Sequence, residues 1–104
     1  MLIQPPELCR TMAEVRAGVD EVDRALVDLL ARRFGYMSAA ARIKPERGAV
    51  RDEARKAAVI ANARERAEAA DLPADEIAAI WDRLVEASIS HELDAWDRLR
   101  ASAS

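Results

Sequence analysis

An arginine stands where the apolar pattern of this chain calls for a hydrocarbon. Met12, Val15, Val19, Val22, Leu26, Leu29, Tyr36, Ala40 and Ile43 recur in steps of three and four, and Arg33 falls in the same row. A guanidinium in such a seam costs on the order of several kcal/mol unless an anion meets it. Lys44 follows eleven residues later, which returns it to within about 20° of the same helix face. Arg16 lies about 100° round the cylinder from Arg33 and faces a different cleft, which in a symmetric dimer can be the partner's. Arg55 opens a second helical segment, and Ser88 and Glu92, spaced i and i+4, sit inside the apolar face of a third. Cations and a few polar groups turned into an aliphatic interior describe a pocket for a small polyanion. Taken singly, each residue has a plainer role. Arg33 can pair with Glu92 or Asp20, Lys44 can decorate a helix C-terminus, Ser88 can bond the carbonyl four residues back, and Asp52 can be only an N-cap.

The elements that must position these groups are helices. No proline interrupts Met12 to Lys44, Thr11 and Glu14 have capping-box spacing, and Pro45 and Gly48 mark the end. Such a helix is about 50 Å long at 1.5 Å per residue. A second runs from Asp52 to near Ala70; its polar face carries Arg55, Lys56, Arg64, Glu65, Arg66 and Glu68, of which the last four read as solvated, and Asp71-Leu72-Pro73 breaks it. Pro73 suits the first turn of a third helix that reaches about Arg100, with Ile77, Ile80, Trp81, Leu84, Val85, Ile89, Leu93 and Trp96 on its apolar side. Trp81 and Trp96 read as core or interface anchors. His91 points about 100° away from Glu92 and reads as a solvated or interface residue. The expectation is one all-α domain over residues 1–104, with 1–10 as a tail and 101–104 frayed. Two shorter helices cannot cover the long stripe, so a homodimer is expected.

Composition agrees and excludes much else. Sixteen Lys and Arg against nineteen Asp and Glu leave a net charge of −3, which supplies no basic field for nucleic acid or an anionic membrane. Aromatics are 4% of 104 residues, with three Gly and four Pro, a helix composition. The one cysteine, Cys9, with one histidine supplies no Cys/His zinc site. No apolar run spans a bilayer and no export signal opens the chain, so a cytoplasmic protein is expected.

These residues, in this order, resemble the all-helical class of chorismate mutases. The segment MAEVRAGVDEVDRALVDLLARR (12–33) is similar to the opening helix of that family, and Lys44 follows at its spacing. VRDEAR (50–55) resembles the entry to its second helix and LVEASISHE (84–92) its site segment. The start, PPELCRTMAEVR (5–16), is similar to the isochorismate-pyruvate lyase branch of the same fold.

The resemblance implies an intertwined homodimer of three helices per chain, without metal or cofactor, that converts chorismate to prephenate for phenylalanine and tyrosine synthesis. It implies that Arg33 and the partner subunit's Arg16 hold substrate carboxylates with help from Arg55. Lys44 would donate to the ether oxygen and a carboxylate, Asp52 would place the ring hydroxyl, Ser88 would lie near a carboxylate, and Glu92 would approach the ether oxygen opposite Lys44. The same clamps suit a lyase making salicylate and pyruvate from isochorismate; a non-catalytic helical dimer that binds a partner is the remaining alternative. Two positions depart from the pattern. Glu92 stands where many relatives have glutamine, and Lys56 where many have a glutamate that binds the ring hydroxyl.

Overall fold

The computed structural model describes residues 3–103, and among them every regular element is helical. Three long helices follow one another: α1 (Met12–Ile43), α2 (Glu53–Ala69) and α3 (Ala74–Ala103). Single 3₁₀ turns precede α1, at Pro6–Leu8, and join α1 to α2, at Arg47–Ala49. None of these helices is long and apolar enough to cross a membrane.

The helix ends follow local chemistry. At the start of α1 the Glu14 amide donates to Thr11 Oγ1 at 3.2 Å while the Thr11 amide donates to Glu14 Oε1 at 3.1 Å, a reciprocal capping box. Asp52 caps α2 by accepting from the Arg55 amide at 2.9 Å. At the other end of α2, Asp71 adopts φ 58°, and the Leu72 amide donates to the Ala67 carbonyl at 2.8 Å. The Asp71 amide reaches Glu68 O at 3.2 Å, which completes a Schellman stop with an aspartate in the left-handed position. Pro73 sits just outside α3 instead of in its first turn: its carbonyl accepts from the Ile77 amide at 3.0 Å, so it is the cap residue. The third helix also continues past Arg100 to Ala103, while Ser104 lies outside the described residues.

The chain packs as two compact units, residues 1–35 and 36–104. In the first, a short tail doubles back beside α1 and encloses an apolar cavity of about 530 Å³ lined by Pro5, Pro6, Cys9, Val15, Val19 and Val22, among others. The apolar row of this unit is largely bare: Val19, Val22, Leu26 and Leu29 are each more than half exposed. In the second unit α2 lies along α3 through small buried residues, Ala63 and Ala67 on one side and Ala78 on the other. Val50, Val85 and Ile89 form its core, with Val59, Leu93 and Trp96 packed around them.

Charges fasten the same unit. Arg51 grips Glu86 with two hydrogen bonds of 2.8 and 3.0 Å, and Lys56 reaches Glu86 at 2.7 Å and Asp82 at 2.9 Å. On the polar face of α2, Lys56 is therefore turned toward α3, because two carboxylates of that helix stand within reach of its ammonium. Arg51, then Lys56, stabilise the ionised Glu86 and lower its pKa from 4.5 to about 2. A carboxyl depressed in the folded state contributes stability above its unfolded pKa and loses it as pH falls through the folded one. Urea midpoints measured against pH will therefore fall between about pH 4.5 and 2 in the parent protein, and Glu86→Gln will remove part of that slope. An unchanged slope would show that the bonds to Glu86 contribute nothing in solution.

Candidate active site

Pro45 sets the position of Lys44. A residue before proline is disfavoured in helical conformation, so Lys44 makes the last α-type bond, its amide to the Ala40 carbonyl at 2.9 Å, and the chain then leaves α1. From there its Nζ lies 2.8 Å from Glu92 Oε2. The Glu92 side chain is 5% exposed and that of Lys44 30%, so the lysine bridges solvent and a nearly sealed carboxylate. One turn back on α3, Ser88 is also buried, and its hydroxyl donates to the Leu84 carbonyl at 2.7 Å. The plainer expectation for Ser88 is thus met, alongside its burial beside Glu92 in sequence.

The carbonyl of Lys44 is held as firmly as its ammonium. Trp96 Nε1 donates to it at 3.1 Å and Arg100 Nη2 at 2.6 Å, while Arg100 Nη1 donates to the Ala41 carbonyl at 2.6 Å. The Arg100 guanidinium stacks 4.4 Å from the Trp96 ring centre. Sequence reasoning missed this arrangement. The i, i+4 spacing of Trp96 and Arg100 was visible, but backbone carbonyls as targets leave no mark in a sequence.

The segment between α1 and α2 is pinned to α3 beyond Lys44. Arg47 binds Asp97 through bonds of 2.8 and 3.2 Å, an ion pair that raises the arginine pKa and lowers that of the aspartate. Val50 is buried between that pair and the Arg51–Glu86 pair in chain order. His91 and Ser38 share a 2.9 Å hydrogen bond, which places the histidine against the end of α1.

The remaining expected site residues divide between the units. Asp52 and Arg55 stand at the mouth of α2. Asp52 receives the Arg55 backbone amide, not its guanidinium, which is exposed and has no polar partner among the described residues. Arg16 and Arg33 lie on the part of α1 in the first unit. Arg16 is exposed and likewise without a polar partner among the described residues, whereas Arg33 is half-buried. The structure thus brings Lys44 and Glu92 into contact. The apolar cavity of the first unit lacks any lysine or arginine in its lining and carries Glu21 and Asp23, the wrong charge for an anion.

Removing the lysine leaves Glu92 without its ion-pair partner in a place water barely reaches. Lys44→Met will lower the urea-derived stability at pH 7 by about 1–3 kcal/mol, less than for a fully buried pair because Lys44 is partly exposed. Adding Glu92→Gln will recover most of the loss; no recovery would mean that the carboxylate charge is not the cause.

The relatives of the chain bear on what these groups can do. Residues 15–93 match the family described as chorismate mutase type II. The chain is also 28% identical over 101 residues to a Pseudomonas aeruginosa protein named isochorismate pyruvate lyase, covering 97% of this chain and 100% of that one. With the profile match extending over most of its length, from the body of α1 to the Lys44–Glu92 pair and beyond, the chain belongs to the chorismate mutase type II family.

Proposed function

We propose that this protein is a chorismate mutase, converting chorismate to prephenate by an intramolecular [3,3] rearrangement. The observation that carries the reading is the Lys44 ammonium held against the buried Glu92, with Ser88 buried one turn away. In the reaction one C–O bond breaks and one C–C bond forms inside a single molecule, so no group is transferred and no nucleophile is needed. The protein has to hold a dianion in its compact conformer, which is catalysis by proximity. Negative charge grows on the ether oxygen as the C–O bond lengthens, and donors fixed there bind the transition state better than the substrate.

In this reading Lys44 and Glu92 act on the ether oxygen from opposite sides. Arg33, Arg55 and the partner subunit's Arg16 hold the carboxylates, arginine being suited to a bidentate grip. Asp52 and Ser88 orient the rest of the substrate. A glutamate oxygen accepts from an ammonium, as Glu92 does from Lys44 at 2.8 Å, and donates to an ether oxygen only when it carries a proton. Lys56 offers no carboxylate to the ring hydroxyl, and its charge is engaged by Asp82 and Glu86. The exposed row on α1 supports a homodimer; in this reading residues 1–104 work as one domain, in the cytoplasm and without a cofactor.

A second reading has a specific observation behind it. The Pseudomonas aeruginosa relative named isochorismate pyruvate lyase matches 97% of this chain, so its match reaches into the N-terminal tail. Incubation of the pure protein with each substrate separates the two: prephenate from chorismate supports the mutase, salicylate from isochorismate supports the lyase, and turnover of neither leaves a non-catalytic dimer. With the active substrate, Glu92→Ala will lose about a hundredfold in kcat/KM, whereas Glu92→Gln, which keeps a donor at that position, will retain most of it. Parental kcat/KM in Glu92→Ala removes Glu92 from that oxygen.

The shared site has its own test. Arg16→Ala and Lys44→Ala will each lose about a hundredfold or more in kcat/KM. Mixed and refolded together, they will regain about a quarter of parental activity, since half of the random dimers then contain one intact site of two. Absence of complementation would place Arg16 outside the partner's site.

A further inference from the structure

We propose that Arg100 and Trp96 are positioning residues for the Lys44 ammonium. The inference rests on the reading of Lys44 as the donor to the reacting oxygen.

The end of α1 explains why a clamp is needed. The last carbonyls of a helix have no partner within it, and Pro45 removes the amide that might have continued the ladder. Lys44 would then hang from a frayed end, with its long side chain free to sample many rotamers. Here Arg100 spans two carbonyls, Ala41 O and Lys44 O, each at 2.6 Å, and Ala41 is wholly buried, so water cannot take over that bond freely. A planar fork suits two acceptors at fixed separation better than an ammonium does. Trp96 adds a third donor to the same Lys44 carbonyl, and its ring packs under the guanidinium at 4.4 Å and against the Val50–Val85–Ile89 core. With its amide on Ala40 O and its carbonyl in the clamp, Lys44 keeps only side-chain freedom, and Glu92 restricts that.

Glu92, Trp96 and Arg100 lie four residues apart along one face of α3. One helix therefore fixes both ends of the lysine, the ammonium through Glu92 and the backbone through the other two. Displacements well under 1 Å matter for a donor whose value is realised in the transition state, so the clamp acts on kcat more than on substrate binding.

The test uses Trp96→Phe, which keeps the ring and loses the donor, and Arg100→Lys, which keeps charge and loses the fork. Arg47→Ala, which breaks the exposed pair with Asp97, is the control. Measured at a temperature where each variant is fully folded, both clamp variants will lose about tenfold in kcat with KM changed less than about threefold, while the control keeps parental kcat. The Lys44 amide will exchange with solvent about tenfold faster in both. Unchanged kcat and unchanged Lys44 exchange overturn the proposal, as does a kcat loss that only tracks the folded fraction. Should the parent turn over neither substrate, Lys44 exchange alone decides the clamp, so its failure and that of the functional reading are told apart.

Discussion

A carboxylate nearly sealed from water must be neutralised, and in this chain that requirement joins two distant stretches of sequence. Glu92 is 4% exposed, and Lys44 is the cation that answers it. Burying such a charge without a partner costs far more than an ordinary contact returns. The end of α1 therefore has to come to the middle of α3, and the segment after it is laid along that helix. Arg47 on Asp97, Val50 in the core, Arg51 on Glu86 and Lys56 on Glu86 and Asp82 continue the attachment into α2. Most of these surface pairs are individually weak, but they share one geometry and reinforce one another through Glu86.

The contrast between the two units carries a functional meaning. The second is closed around a small aliphatic core with its ion pairs made, while the first presents a row of valines and leucines to solvent. The helix continues through Gly18 to Leu30 and beyond, and the tail borders only the first part of the row, leaving Val19, Val22, Leu26 and Leu29 each more than half exposed. Under the proposed function, such a face would bring another chain's arginine to the site. Arg16, exposed and without a polar partner among the described residues, stands at one edge of the exposed row.

Much of the fold was legible in the residues. Thr11 and Glu14 announced the start of α1, Pro45 its end, Asp52 the start of α2 and Asp71-Leu72-Pro73 its stop, because each is a local signal in which a side chain or a missing amide acts on its own neighbours. Pro73 was one position off, since its fixed φ suits a cap as well as a first turn. The burial of Ser88 and Glu92 was legible in their i, i+4 spacing inside an apolar face, whereas the contact of Lys44 with Glu92 was not written in helical phase. The site was illegible where a long side chain chooses among distant partners. Lys56 was placed on a polar face, and that face does not say that it binds α3; Arg100 was placed near a helix end, and that position does not say that it holds two carbonyls. Arginine and lysine reach so far that period alone does not say which neighbour they meet.

The clamp on Lys44 also orders events during synthesis. Its bonds join residues 48, 52, 56 and 59 positions apart, so none can form until α3 has been made almost to its end. Until then a nascent chain carries an α1 whose terminal lysine is untethered. Long-range closure of this kind slows folding. The last helix to be made is thus the one that settles the end of the first.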